Sequence, residues 1–222
     1  TSTNLRIVMQ NTQFTFQLTN EDHEKLHAIE QMYNLQTSIF VSISPNVNWN
    51  NPSHWVSFKR PFKRTYQHIH ISATSSDIGK ESHYINKQNL TGGAAILSFN
   101  QWASRVCNTR TDPRGHGSYT VTTYQGKNRK KLSIIGAYIS VLKGGRAGDN
   151  TLHTQQMTLL ERQAMKDNTI WEPTKCPRKE AIKAISSLIK ELQEEDHAIV
   201  LAIDANQTPT ECHFKSTVKK YS

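Results

Sequence analysis

Cysteine is scarce. Cys107, Cys176 and Cys212 are the only three in 222 residues. The number is odd and no pair has metal-ligand spacing. That excludes a disulfide framework or a cysteine-held zinc and points to free thiols in a reducing compartment. Long apolar runs are missing too: none approaches the ~20 residues of a membrane span, so no membrane association is expected. Thr1 to Leu5 lacks the basic-then-apolar order of a signal peptide, so the chain is expected inside the cell, nuclear or cytoplasmic. No internal repeat or low-complexity linker divides it. Acids are the minority among the charges, 18 against 27 lysines and arginines, which leaves a net charge of +9. Such an excess favours polyanionic partners, nucleic acid or an anionic membrane.

What is present suits one globular unit. Hydrophobic residues make up 36% and charged residues 20%, enough for a sizeable core. The spacing predicts a strand over Leu5–Met9, a helix over Leu18–Tyr33 capped by Thr19, and a strand over Thr37–Ile43. Residues 44–64 read as irregular. Gln67–Thr74 alternates, with Ile69, Ile71 and Ala73 inward and His68, His70 and Ser72 outward. Gly92-Gly93 opens a strand through Phe99. Residues 108–117 read as a loop, and Ser118–Gln125 and Lys131–Val141 as two strands joined by a basic turn. A Gly-rich loop over 142–150 lacks phosphate-loop spacing. A helix over Thr151–Lys166 starts with Gln155 and Gln156 on its polar surface. A second helix over Arg178–Glu195 buries Ile182, Ile185, Ile189 and Leu192. It feeds a strand over Ala198–Asp204. A helix at each end with strands between is a mixed α/β domain.

The apolar strand before Asp204 stops on a carboxylate, and Asn206 follows two positions later. Residues two apart on an extended chain share a face, so both are expected to project from the strand end, where open α/β sheets place ligands. The pair suits a hard cation and a phosphate oxygen. A plain Asx-turn is the competing reading. His68 and His70 lack a third ligand for zinc. Lys59-Arg60-Pro61-Phe62-Lys63-Arg64 mixes basic and aromatic residues, as nucleic-acid grooves do. Lys127, Arg129 and Lys130 form a second basic cluster. Either alone reads equally as a solvated face. Together, on a chain of +9, they point to a phosphate backbone.

The strand ends carry polar residues in a telling order: Asn11 after the first strand, Ser44-Pro45-Asn46 after the second, then Gly92-Gly93-Ala94-Ala95-Ile96. Asp112-Pro113-Arg114-Gly115-His116-Gly117, Tyr138 and Asp204-Ala205-Asn206 follow. From Leu5 to Pro209 this succession resembles the endonuclease/exonuclease/phosphatase family, above all the endonuclease domains of non-LTR retrotransposons. The resemblance implies a deoxyribonuclease-like two-sheet α/β sandwich flanked by helices, in one domain over 1–222 whose last strands are missing. It implies a magnesium-dependent phosphodiester hydrolase acting on DNA, with manganese as the alternative ion. The chain would be monomeric or part of a larger polyprotein. By the same resemblance Asn11 lies near the metal, Asp204 and Asn206 position water and phosphate, and Tyr138 contacts the phosphate. Arg114 joins the two basic clusters as a nucleic-acid contact. Three departures stand out. Ser44 occupies the position of the family's metal-binding Glu, Ile203 replaces the glycine before the Asp, and the closing Asp-His pair is absent. These leave two further readings, a non-catalytic nucleic-acid-binding remnant and a phosphatase for a small phosphate ester.

Overall fold

The computed structural model describes residues 4–12, 16, 22–141, 151–170 and 176–206. The Thr19 cap, the loop over 142–150, Cys212 and the C-terminal tail lie outside them. The described strands form two four-stranded sheets. The first runs β1 (Ile7–Asn11), β2 (Ile39–Ile43), β4 (Ala94–Phe99), β3 (Ile69–Thr74). The second runs β5 (Val106–Thr111), β6 (Tyr119–Gln125), β7 (Lys131–Tyr138), β8 (His197–Asp204). Each sheet carries one parallel pair at an edge, β1 with β2 and β7 with β8, and its other pairs are antiparallel. A parallel pair needs a crossover. Helix α1 (Asp22–Asn34) supplies the first; α3 (Leu152–Lys166) and α4 (Pro177–Glu194) lie in the second.

Period-2 alternation explains how the layers stack. On β2, Ile39, Val41 and Ile43 face the second sheet and pack with Ile134, Tyr138 and Ala202. Phe40 points the other way, into an aromatic cluster with Phe16, Phe58, Phe62 and Phe99. On the far side Val121, Ile135, Ala137 and Ile139 receive Ala181, Ile185, Leu188 and Leu192 of α4. The sheets approach closely at Gly136, where a β-carbon would stand 3.0 Å from Val41 Cγ1 and 3.3 Å from Ile96 Cγ1.

Four local expectations change. The irregular stretch over 44–64 contains α2 (Pro52–Lys59), capped by the Asn51 side chain, which accepts from the Ser53 amide at 3.0 Å. Asn before Pro at the first helical position was the available signal. The loop expected over 108–117 begins as edge strand β5, whose polar run VCNTRT hides the alternation. The outward face of β3 is interior: Ser72 is 4% exposed and hydrogen-bonds Thr120 of the second sheet at 2.6 Å. Gln155 and Gln156 are buried rather than on a polar surface. Gln156 Nε2 donates to His116 O and to Ser118 Oγ. No described helix is long and apolar enough to cross a membrane.

Candidate active site

The parallel pairs decide where the site lies. Strands β1 and β2 end side by side, Asn11 opposite Ile43, and β7 and β8 end side by side, Tyr138 opposite Asp204. When the sheets pack face to face, all four carboxyl ends fall at one pole. Asn11 Nδ2 donates to Asp204 Oδ2 at 2.9 Å and so ties one sheet to the other across 193 positions of sequence.

Asp204 is half-buried, and its other oxygen, Oδ1, accepts the Asn206 backbone N–H at 3.0 Å. This is the Asx-turn of the competing reading. Asn206 has left the strand, with φ of 45°, and its Nδ2 donates to Ile139 O at 2.8 Å. Tyr138 is buried beside them. Burial raises the phenol pKa above its ordinary value. Hydrogen bonds with Asn206 and Ser44 work against that rise, and the Asp204 charge adds to it. The hydroxyl therefore stays protonated at neutral pH and remains a donor.

Ser44 reaches the same pole, where it hydrogen-bonds Tyr138 and Asn46. It is 1% exposed, and its Oγ donates to Asn46 Oδ1 at 3.1 Å. Asn46 Oδ1 also accepts the Gly92 N–H at 2.8 Å, and the Ser44 N–H donates to Gly93 O. Gly93 is required here. Its φ is +81°, and a β-carbon would stand 2.4 Å from Thr74 O. Ser44, Asn46 and Asn206 all have φ between 45° and 54°, a region that costs a non-glycine residue on the order of 1 kcal/mol. Such residues gather at functional sites.

Sequence reasoning passed over one residue that builds the pole. Arg178, near the start of α4, is 3% exposed. Its Nη1 donates to Ser140 O at 2.7 Å and its Nη2 to Ala205 O at 2.5 Å. One guanidinium thus clamps the turn after Tyr138 to the turn after Asp204. The available signal was a cation in the first turn of a helix, against the macrodipole.

The predicted nucleic-acid residues do not join this cluster. Arg114 is turned inward. Nε and Nη2 grip the two oxygens of Asp112 at 2.9 Å each, and Nη1 donates to Glu180 O at 2.9 Å. Burial pushes the Asp112 carboxyl up, but the Arg114 hydrogen bonds and charge hold it below its ordinary value. Lys127, Arg129 and Lys130 occupy the β6–β7 turn. Seven residue steps along β7 separate that turn from Tyr138, about 23 Å. Lys59, Arg60, Lys63 and Arg64 precede the start of β3. That start pairs with Phe99, whereas Thr74 at the site end pairs with Ala94.

For a divalent ion the donor set is thin but usable. No three His, Cys, Asp or Glu side chains gather among the described residues. Magnesium commonly keeps most of its waters and takes one or two carboxylates plus substrate phosphates. Asp204 is one such carboxylate, with the Asn11 amide beside it.

No family profile and no curated protein matches the sequence. Solved structures do. The human nocturnin catalytic domain with bound sulfate aligns with a TM-score of 0.50 at 15% identity, over 93% of this chain and 65% of that one. An endonuclease/exonuclease/phosphatase family protein from Leptotrichia buccalis gives 0.49 at 10%, over 98% and 72%. The endonuclease domain of TRAS1, a telomere-specific non-LTR retrotransposon, gives 0.44 at 10%, over 93% and 62%. The chain thus spans less than two thirds of the nocturnin and TRAS1 domains. Two mixed four-stranded sheets packed face to face, with polar strand ends meeting at one pole, give this chain the α/β sandwich fold of the endonuclease/exonuclease/phosphatase proteins.

Proposed function

We propose that the pole formed by Asn11, Tyr138, Asp204 and Asn206 is a phosphodiester-hydrolysing site that acts on DNA with magnesium. The observation that carries this reading is the Asn11–Asp204 hydrogen bond. It helps bring a carboxylate, two carboxamides and a protonated phenol to one point from three strand ends and the turn after the last of them. In-line attack on phosphorus needs an oriented water and donors to the non-bridging oxygens. Asp204 accepts a hydrogen bond from the attacking water and holds its lone pair toward phosphorus. Tyr138 Oη and the Asn11 amide donate to the phosphate. Asp204 and Asn11 would hold a magnesium ion, which when bound would supply positive charge for the oxygens as they become more anionic.

Ser44 supports a second reading. A neutral hydroxyl already bonded to Asn46 stands where the family resemblance calls for a carboxylate, as in a domain that binds nucleic acid without cutting it. Plasmid nicking separates the two. With magnesium, the Ser44→Glu variant is expected to nick supercoiled plasmid at least about tenfold faster than the parent, because a second carboxylate tightens the ion. Glu meets the same left-handed backbone at this position as Ser44, so an unchanged circular dichroism spectrum accompanies the assay. If neither protein nicks, the hydrolase reading is wrong and the binding reading stands.

A further inference from the structure

The segment Lys59–Arg64 is a rigid turn with two cationic sides. Phe62 anchors it, fully buried and stacked on Phe16, Phe58 and Phe99 with centroids 5.4 to 6.0 Å apart. Lys59 closes α2, and Lys63 and Arg64 lie in the 3-10 turn that follows. The i, i+4 spacing then sorts the charges. Lys59 and Lys63 line one cavity of roughly 650 Å³ together with His68 and His70. Arg60 and Arg64 line another of roughly 160 Å³ together with Lys25. Among the described residues neither lining contains a carboxylate.

Three arginines elsewhere in the structure are neutralised by carboxylates. Arg110 pairs with Glu191 and Glu195, Arg114 with Asp112, and Arg162 with Glu81. Among the described residues Lys59, Arg60, Lys63 and Arg64 form no ion pair. Like charges at i, i+4 repel by a few tenths of a kcal/mol, and here two such pairs are held on a fixed turn. A preassembled cluster of that kind is relieved by a polyanion.

We propose that the Lys59–Arg64 turn is a second, non-catalytic binding site for the phosphate backbone of duplex DNA. It lies at the pole opposite the candidate active site. Strand β3 alone runs five residue steps from one end of the sandwich to the other, about 17 Å, the length of roughly five base pairs at 3.4 Å along a strand. A duplex longer than that can hold this turn while another of its phosphates sits at Asp204. The contact is to phosphate, so it adds affinity without base preference. The cations sit in concavities, which suits protruding phosphates better than a flat headgroup plane. The inference rests on DNA being the partner, as proposed above, but not on hydrolysis.

The test is duplex binding by fluorescence anisotropy, in EDTA so that no cutting intervenes, across a salt series. The fourfold variant K59A/R60A/K63A/R64A is compared with the parent and with K166A/K179A, which removes two exposed lysines elsewhere. Because each phosphate contact contributes about 0.9 to the log–log salt slope, the fourfold variant should lower the slope by about 2 to 4. Its affinity at low salt should fall at least about tenfold. The milder K63A/R64A variant, altered only at exposed positions, should show about half the slope change, which guards against a misfolded fourfold variant. Equal slopes for the fourfold variant and K166A/K179A would overturn the proposal. So would a loss of binding to phosphatidylserine vesicles with duplex binding intact. A parent that binds DNA with the predicted slope but never nicks would sink the hydrolase reading and leave this one standing.

Discussion

Asp204→Ala is expected to slow phosphodiester cleavage by at least about a hundredfold, the lower bound for removing a group that orients or deprotonates the nucleophile. Its affinity for duplex DNA should change little. The cause is geometric. Asp204 is the carboxylate that joins Asn11 and Asn206, and both its oxygens are fixed, by Asn11 and by the Asn206 amide. Alanine removes the acceptor for the attacking water and the anionic ligand for the metal in one step. On the proposed reading binding should survive, because cations elsewhere on the chain would carry most of the affinity. Asp204→Asn sharpens the comparison, since it preserves volume and loses only charge. Nicking rates and anisotropy measured together show whether turnover falls without binding. Equal nicking by parent and alanine variant would remove Asp204 from the chemistry.

The second large effect concerns stability. Arg178→Met should destabilise the protein by about 3–5 kcal/mol, since two charge-assisted hydrogen bonds are lost and two carbonyls next to the pole lose a donor. For a chain of this length that corresponds to a fall in Tm of roughly 10 °C, readable by calorimetry. Arg178→Lys keeps the charge but cannot fork to both carbonyls, so its loss should be intermediate. The two variants should also separate in turnover. Below its own Tm the methionine variant is expected to lose kcat more than KM, because the turns that carry Tyr138 and Asp204 are no longer clamped to each other. A methionine variant as stable as the parent would show that Ser140 O and Ala205 O find other partners.

How much of this was legible in the sequence differs by element. The apolar run before Asp204 and the amphipathic face of α4 were legible as elements, but their burial differs from the pattern. Strand β8 lies at a sheet edge with only His197 and Ala202 buried. Helix α4 buries Ala181, Ile185, Leu188 and Leu192, while Ile182 and Ile189 stay partly exposed. The candidate residues Asn11, Tyr138, Asp204 and Asn206 carried a weaker signal, a succession of polar strand ends. The structure brings those four together because parallel pairs on two sheets end at one pole. Ser44 arrives there as well, turned to Asn46. Strand β5 was hidden because an edge strand with VCNTRT has no apolar face to alternate. The burial of Ser72, Gln155 and Gln156 was hidden because each satisfies its polar group with a partner remote in sequence, which local pattern cannot supply. Arg178 was missed for the same reason, since its partners are backbone carbonyls of two turns. The basic clusters were visible, but their distance from the site was not. Only the strand directions show that Lys59–Arg64 and Lys127–Lys130 face the opposite pole, and that Arg114 is held by Asp112.

The claim at the centre is that the strand-end pole receives a phosphodiester. Nitrogen-15 NMR of the intact chain, titrated with a phosphorothioate-linked dinucleotide, tests it without depending on turnover. The side-chain amides of Asn11 and Asn206 and the backbone amide of Asn206 should shift together and saturate together, and Asp204→Ala should weaken that response. Shifts confined to the Lys59–Arg64 turn, with the Asn11 and Asn206 amides unmoved at saturation, would contradict the account.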